Sequence, residues 1–406
     1  MTLFNAQKLF ASAPRVTDDD AERIRPLLAT LDHPERKFRI LPVTGEKGKS
    51  SVARMISGIL GRSGISAVAV TLPCLESPRE NVLLGDAPLS NEEFVTYTAR
   101  IYNAVKKAYP SKEVPAPVLS QAELLFCLAA VAADAKDAKW LILELPEEPF
   151  APLATVRFSA PITVITSCTT RVPATSVNMI HPGVSEVVSA RPGSKTTYKE
   201  ISEACSKAGS RLTIPALSAL TTTESSLKRT AFTYRNTEYV IPLYGSASLS
   251  NALCAIEAAT ALSRLGCKIT ERGILEGLAH TALPARIEVL SVAPTIVVDA
   301  ADDNLSAFTL ADALKARGSS IGSSVTLCVE EGENAPYPFC PDPFSELLQE
   351  TDFRITSVVR IERGKENRSA TLLLNAAEPG DLILTVGTLP FAHVMRTEFI
   401  KVLNAR

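Results

Sequence analysis

Thr44-Gly45-Glu46-Lys47-Gly48-Lys49-Ser50-Ser51 lies between an apolar run and a helix-like run, and its residue types suit the binding of a phosphate chain. Glycines let a backbone curl until successive N–H groups converge on phosphate oxygens, and the N-terminus of a following helix adds a favourable dipole. In such a loop Lys49 neutralises the β- and γ-phosphates, and a hydroxyl from the Ser50–Ser51 pair holds Mg2+. The usual pattern G-x-x-x-x-G-K-[ST] opens on glycine, where this chain has Val43, so the P-loop is a variant. A solvated turn rich in Gly and Lys is the plainer alternative, and the strand and helix on either side argue against it. Glu144, near the end of LILELP, is the second candidate. At the carboxyl edge of a central strand it would meet a nucleotide, because sites in open α/β sheets lie there; otherwise it is an edge glutamate facing water. Glu147 and Glu148 read as surface charges beyond that strand.

Other chemistry finds less support. Eight cysteines (74, 127, 168, 205, 254, 267, 328 and 340) include no C-x-x-C pair, and His33, His181, His280 and His393 are far apart, so zinc is not expected. The cysteines read as reduced, buried packing residues. Cys168 has no identifiable base to make it a nucleophile. Trp140, before an apolar strand, reads as packing.

The elements that position the loop follow from hydrophobic patterning. FRILPVT (38–44), ISAVAVTLP (65–73), WLILELP (140–146) and PITVIT (161–166) read as buried strands, separated by helical runs such as 120–135. This alternation predicts a mainly parallel sheet covered on both faces. Residues 181–217 read strand, helix, strand; 224–244 read as a hairpin; 218–226 is a Ser/Thr-rich patch. A new alternation starts at TIVVDA (295–300) and includes a helix over PFSELLQET. The expectation is an α/β chain with a P-loop NTPase-like, mainly parallel sheet domain over residues 1–284 and a smaller Rossmann-like α/β domain over 285–406. The length of 406 residues accommodates both.

Composition narrows the partners. Lys and Arg total 42 against 44 Asp and Glu, a formal charge of −2, which gives no reason to expect general nucleic-acid affinity. With 46% hydrophobic residues the chain can bury sizeable cores. No apolar run reaches the roughly 20 residues of a bilayer crossing. MTLFNAQKLFASAPRVTDDD lacks an apolar signal core, so a cytoplasmic, soluble protein is expected, and separately a monomer.

The order and spacing of these segments resemble the folylpolyglutamate synthase/dihydrofolate synthase family, relatives of the Mur ligases of cell-wall synthesis. VTGEKGKSS resembles the family's V-T-G-T-N-G-K-G-S, which implies that Lys49 is the phosphate lysine and Ser51 the metal-binding hydroxyl. TLPCLESPRENVLLGDAPLSNEEF is similar to a stretch with T-S-P-H-L and E-R-I, putting Glu80 on the motif's glutamate. SQAELLFCLAA resembles T-Y-F-E-x-L-T-A-x-A-F, with Glu123 on its glutamate. LYGSASLSNALCAIEAA resembles G-x-H-Q-x-x-N-A-x-x-A, with Asn251 on the asparagine. LPARIEVL resembles W-P-G-R-x-E, which makes Arg286 a nucleotide-contacting arginine. TIVVDAADDN resembles D-G-A-H-N, with Asp299 on its aspartate. The resemblance implies an ATP- and Mg2+-dependent ligase. It would join a carboxylate, folate-like or otherwise small, to an amino acid through an acyl phosphate. Gly45, Lys47, Gly48, Lys49, Ser50, Ser51, Asn251, Arg286 and Asp299 would hold the nucleotide, Ser51 and Glu144 the metal, and Lys49 and Glu144 would serve catalysis.

Several departures touch that chemistry. The serine of T-S-P-H-L is Leu72 here. After PITVIT the family has a metal-binding histidine in G-L-D-H, whereas this chain reads SCTTRVPATSVNMIHPG, with His181 falling later. Residues 172–194 contain no lysine to match the family's modified one. The histidine of D-G-A-H-N gives way to Asp302 or Asp303, one of which reads as a helix cap. Glu80 and Glu123 read equally as solvated charges, and Arg286 as a stabiliser of the domain junction. The leading reading is a divergent ligase; the alternative is a nucleotide-binding paralogue without ligase activity. An unrelated P-loop NTPase would leave Arg286 and Asp299 as coincidences.

Overall fold

The computed structural model describes all residues except 15–23, 76, 111–118, 147–158, 170, 227–228, 302–303, 316–323 and 332–352. Glu147, Glu148, Asp302, Asp303, Cys340 and the helix expected over PFSELLQET lie outside the described residues. Packing divides the chain into two units: Met1–Ala219 with Ser250–Thr281, and Leu220–Leu249 with Ala282–Arg406. The second unit takes in the Leu220–Leu249 excursion, which a single cut near residue 284 does not capture.

The first unit is built on β1 (Arg39–Thr44), β2 (Ala67–Val70), β3 (Val82–Leu84), β4 (Ala87–Pro88), β5 (Trp140–Glu144), β6 (Ile162–Ile165), β7 (Glu186–Ser189) and β8 (Arg211–Thr213). They form one sheet in the order β4-β3-β2-β5-β1-β6-β7-β8. From β2 to β8 the neighbours are parallel; β3 is antiparallel to both β2 and β4 and is the one strand of this sheet that runs against the rest. β2, β5, β6 and β7 are buried at every residue, without polar alternation, as a sheet covered on both faces requires. β1 sits between β5 and β6, where chain connections depart to either side. An open sheet is cleft at that point, beyond its carboxyl ends.

Helices cover this sheet because their apolar faces find partners. Gln121–Ala135 is buried continuously from Glu123 to Ala133, and the long hydrophobic run leaves it no wet face. Ser120 and Glu123 close its first turn reciprocally, and Ser90 and Glu93 do the same for the helix Asn91–Ala108. Phe10, Phe94 and Phe126 anchor the shared core, with Phe10 and Phe94 centroids 5.7 Å apart.

The second unit holds two sheets. β9 (Leu220–Ser226), β10 (Arg229–Tyr234) and β11 (Thr237–Ile241) form an antiparallel meander. Arg235 and Asn236 both have positive φ (50° and 66°), the two-residue connection whose twist matches paired strands. The Ser/Thr-rich patch is therefore strand β9, consistent with the β-propensity of threonine. β12 (Glu288–Val292), β13 (Thr295–Asp299), β14 (Ser324–Glu331), β15 (Arg354–Glu362) and β16 (Leu382–Val386) lie in the order β12-β13-β16-β14-β15. Only β12 is antiparallel. Strand alternation sends Val297 into one core cluster and Ile296 and Val298 into another.

Candidate functional site

The phosphate-type loop leaves the end of β1 under tight control. The Thr44 carbonyl accepts from Thr166 N (2.7 Å) and Thr166 Oγ1 (3.0 Å), and Thr44 Oγ1 lies 2.9 Å from Ser176 Oγ. Gly45 and Gly48 then take φ of +123° and +90°, a region that L side chains avoid. A Cβ on Gly45 would collide with Thr166 Oγ1, and one on Gly48 with Asn251 Oδ1. Asn251, expected at a nucleotide, is thus packed under the second glycine. Lys49 Nζ donates to the carbonyls of Gly45 (2.8 Å) and Glu46 (2.9 Å), so its ammonium sits within the curl of the loop. The helix Lys49–Arg62 starts at Gly48, and its first-turn N–H groups, at Lys49, Ser50 and Ser51, have no intrahelical acceptors. Lys47 N donates to the Ser167 carbonyl at 3.3 Å, which anchors that side of the loop.

Glu144 is beside this loop because β5 pairs with β1 in a register that sets it opposite Val43. Its side chain is buried, 3% exposed. Oε1 accepts from Ser50 Oγ at 3.0 Å and Oε2 from Leu72 N at 2.9 Å; Ser50 Oγ also reaches the Leu72 carbonyl at 3.3 Å. The hydroxyl brought to the carboxylate is that of Ser50, while Ser51 is buried in the first turn of the helix. Leu72 is fixed in turn by Asn81, whose Nδ2 donates to Thr71 O and Pro73 O (2.8 Å each) and whose Oδ1 accepts from Leu75 N (2.8 Å). Oxygens of Ser50, Glu144 and Leu72 converge here. Mg2+ prefers oxygen ligands and retains several waters, so this set fits one such ion shared with phosphates. Among the described residues no three His, Cys, Asp or Glu side chains gather into a further metal cage.

The segment after β6, which lacks a counterpart of the family's metal-binding histidine, grips the loop instead. The Ser167 carbonyl also accepts from Glu46 N (2.9 Å), and Glu46 Oε2 accepts from Thr169 N (2.5 Å) and Thr169 Oγ1 (2.7 Å). Gly193 closes from the other side: its N–H donates to Cys168 O, and a Cβ there would meet Thr169 O at 2.6 Å. The segment is a strap on the phosphate-type loop. His181 is exposed, its Nδ1 3.0 Å from Pro182 O. Glu46, Asn81, Thr166, Ser167 and Thr169 all escaped the sequence reading. The only signal was a run of small hydroxyl residues, S-C-T-T, which is common in loops of any kind.

Arg286 and Asp299 belong to the second unit, where they are near one another. Asp299 Oδ2 accepts from Ile287 N at 2.6 Å, and Ala300 N donates to Ala285 O at 2.9 Å. Ala285 and Ile287 both have positive φ (55° and 48°), which is costly for a β-branched residue and is held here by carboxylates. Glu288 Oε2 accepts from Ala285 N (2.8 Å) and from Arg396 Nε (2.6 Å). Arg286 is thereby presented at the surface on a stiff turn. Glu123 is buried as a capping residue, not solvated. Glu80 takes Arg54 Nη2 on its backbone carbonyl at 3.0 Å, next to the helix that carries Lys49.

No protein-family model matches the chain. Among curated proteins it is 23% identical over 329 residues to the dihydrofolate synthase/folylpolyglutamate synthase of Mycobacterium tuberculosis, covering 73% of this chain and 66% of that protein. It is 30% identical over 97 residues to a folylpolyglutamate synthase of Lacticaseibacillus casei, covering 24% and 23%. Both matches span less than two thirds of the relatives' lengths. The fold agrees over far more of the chain. The folylpolyglutamate synthetase structure from Lactobacillus casei aligns with a TM-score of 0.75 at 20% identity, covering 98% of this chain and 99% of that one. The Mycobacterium tuberculosis folylpolyglutamate synthase structure complexed with ADP gives 0.76 at 20%, covering 98% of each. In sequence the chain is thus similar to folylpolyglutamate synthase/dihydrofolate synthase proteins, and over nearly its whole length it shares their fold.

Proposed function

We propose that this protein is an ATP-dependent ligase that joins the amine of an amino acid to the carboxylate of a folate-like acceptor. The observation that carries the reading is the loop itself: two glycines in left-handed conformation, the Lys49 ammonium drawn into the curl, and the Ser50–Glu144 pair beside it. A solvated turn has no reason to hold a lysine inward or to set a buried carboxylate against its helix. Relatives named as synthases of this class, and a solved complex titled with AMPPCP and folate, support the same reading.

In this reading the acceptor carboxylate attacks the γ-phosphorus, ADP departs, and the amine displaces phosphate from the acyl phosphate. Negative charge grows on transferring oxygens, and fixed donors aimed at those oxygens provide most of the help. Lys49 neutralises the β- and γ-phosphates, while the first-turn amides of the helix Lys49–Arg62 bind their oxygens. Glu144 and the hydroxyl beside it would hold Mg2+, which would supply charge neutralisation at the phosphates. Asn251 buttresses Gly48, and Arg286 and Asp299 are assigned to the nucleotide through the family resemblance.

A second reading, nucleotide binding without ligation, is favoured by the strap: the segment that in the family supplies a second metal ligand lacks that histidine here and is engaged by Glu46 and Gly193. One experiment separates them. ADP release is measured with a panel of folates, each with glutamate and other amino acids. Substrate-stimulated release supports the ligase; nucleotide binding without stimulation leaves the second reading. Lys49→Ala should weaken nucleotide affinity roughly 100-fold or more, the order seen when a charge-stabilising donor is lost; native affinity in that variant would remove the loop from consideration.

A further inference from the structure

Building on the ligase reading, we infer that Arg171 and Arg191 form a carboxylate-binding rim beside the phosphate-type loop. The acceptor that such a rim selects ends in a glutamyl group, with carboxylates beyond the one that reacts. The loops that follow β1, β6 and β7 leave the same edge of the first unit's sheet and are fastened to one another. Glu46 N and Lys47 N donate to Ser167 O at 2.9 and 3.3 Å, and Gly193 N donates to Cys168 O at 2.9 Å. Gly193 also presses on Thr169, whose carbonyl a Cβ at Gly193 would strike. Arg171 lies two residues beyond Thr169, and Arg191 two residues before Gly193. Each arginine Cα is therefore within about 7 Å of the residue that makes this contact.

Charge at this edge is one-sided. Residues 45–48, 166–171 and 190–195 include the cations Lys47, Arg171, Arg191 and Lys195 and a single acid, Glu46. All four cations are exposed, whereas Glu46 Oε2 accepts two hydrogen bonds from Thr169. Glu144 is buried on the other side of β1, at the end of β5. β6 and β7 stand one and two strands from β1, about 5 and 10 Å across the sheet. A phosphate chain in the loop is held by Lys49 and the helix amides, so the rim lies beyond it, and a nucleotide base carries no charge for it to bind. Guanidinium groups match carboxylates through two parallel N–H···O bonds. A glutamyl terminus offers one carboxylate for the transfer and another to be held; an acceptor with a single carboxylate needs it for the reaction.

The test uses the full chain saturated with a non-hydrolysable ATP analogue and titrated calorimetrically with pteroate, folate and folate diglutamate, which carry one, two and three carboxylates. Affinity should rise along that series, and the gain over pteroate should shrink as ionic strength is raised. Arg171→Gln and Arg191→Gln should each remove roughly 5-fold of the gain for folate diglutamate, the upper range for an exposed ion pair. Arg171→Lys and Arg191→Lys, which keep the charge but not the paired donors, should retain part of it. Affinity for the analogue should stay near native in every variant. Equal affinity for the three acceptors, or a gain that survives the double variant Arg171→Gln/Arg191→Gln, overturns the assignment while the ligase reading stands. Loss of analogue affinity in a variant that melts as the native protein does also overturns it, because the rim would then serve the nucleotide. If the nucleotide-loaded native protein binds none of the three, the folate-ligase reading fails and the assignment with it.

Discussion

Single residues carry the phosphate-type loop, and some of them announce themselves in the sequence. Gly45 and Gly48 are legible because a curl of this kind needs positive φ, which other residues adopt at a cost of about 1–2 kcal/mol. Gly48→Ala should therefore destabilise the first unit by at least that amount and push Asn251 aside. Chemical denaturation and nucleotide titration of this variant should both show losses; a fully native profile would mean that the loop relaxes freely. The resemblance ranks Ser51 as the metal-binding hydroxyl, whereas the structure sets Ser50 against Glu144. Neighbours on a helix point about 100° apart, so the one that meets Glu144 depends on how the helix is rotated against β5. Glu46 is a stronger case: its partner Thr169 lies 123 residues away, and neither residue belongs to a pattern.

At the scale of elements, strands and helices were legible wherever burial was continuous or the cap was local. Ser120-x-x-Glu123 and Ser90-x-x-Glu93 lie within one turn, and local chemistry alone dictates their bonds. Tertiary contacts add to the second. Lys136, just beyond the helix Gln121–Ala135, pairs with Glu93 at 2.6 Å and ties that helix to Asn91–Ala108. The hydrogen bond from Lys136, with the Ser90 N–H, holds the Glu93 carboxyl below its ordinary 4.5, and the same bond raises Lys136 above 10.5. A lowered carboxyl value stabilises the fold above the ordinary value and loses that contribution as pH falls through the folded one; a raised amine value does the reverse at the alkaline end. The pair thus supports the fold most between these limits. Thermal melts of Lys136→Ala should fall below native at neutral pH and converge with it at acid pH. A constant offset down to pH 3 would assign the effect to lost packing.

For the whole molecule, burial predicts the behaviour of the thiols. Desolvation pushes Cys74, Cys254 and Cys328 up to about 12 and Cys205 to about 11. The thiolate is the reactive form, so these four should label slowly at pH 8 in the native protein and rapidly in denaturant. Mass-spectrometric mapping should find Cys328 released with the second unit and the other three with the first; rapid native labelling of Cys205, Cys254 or Cys328 would contradict its burial.

The sequence by itself determined the α/β class, the strand–loop–helix that carries Lys49, the helix caps and the family resemblance. All of these depend on contacts within a turn or on hydrophobic periods that a linear chain displays. Only the tertiary structure decided that Ser50 faces Glu144, that Leu72 contributes through its backbone, and that the segment after β6 straps the loop. Each of those is a contact across tens of residues, set by strand register and helix rotation, and neither quantity is written in the types of the residues that meet.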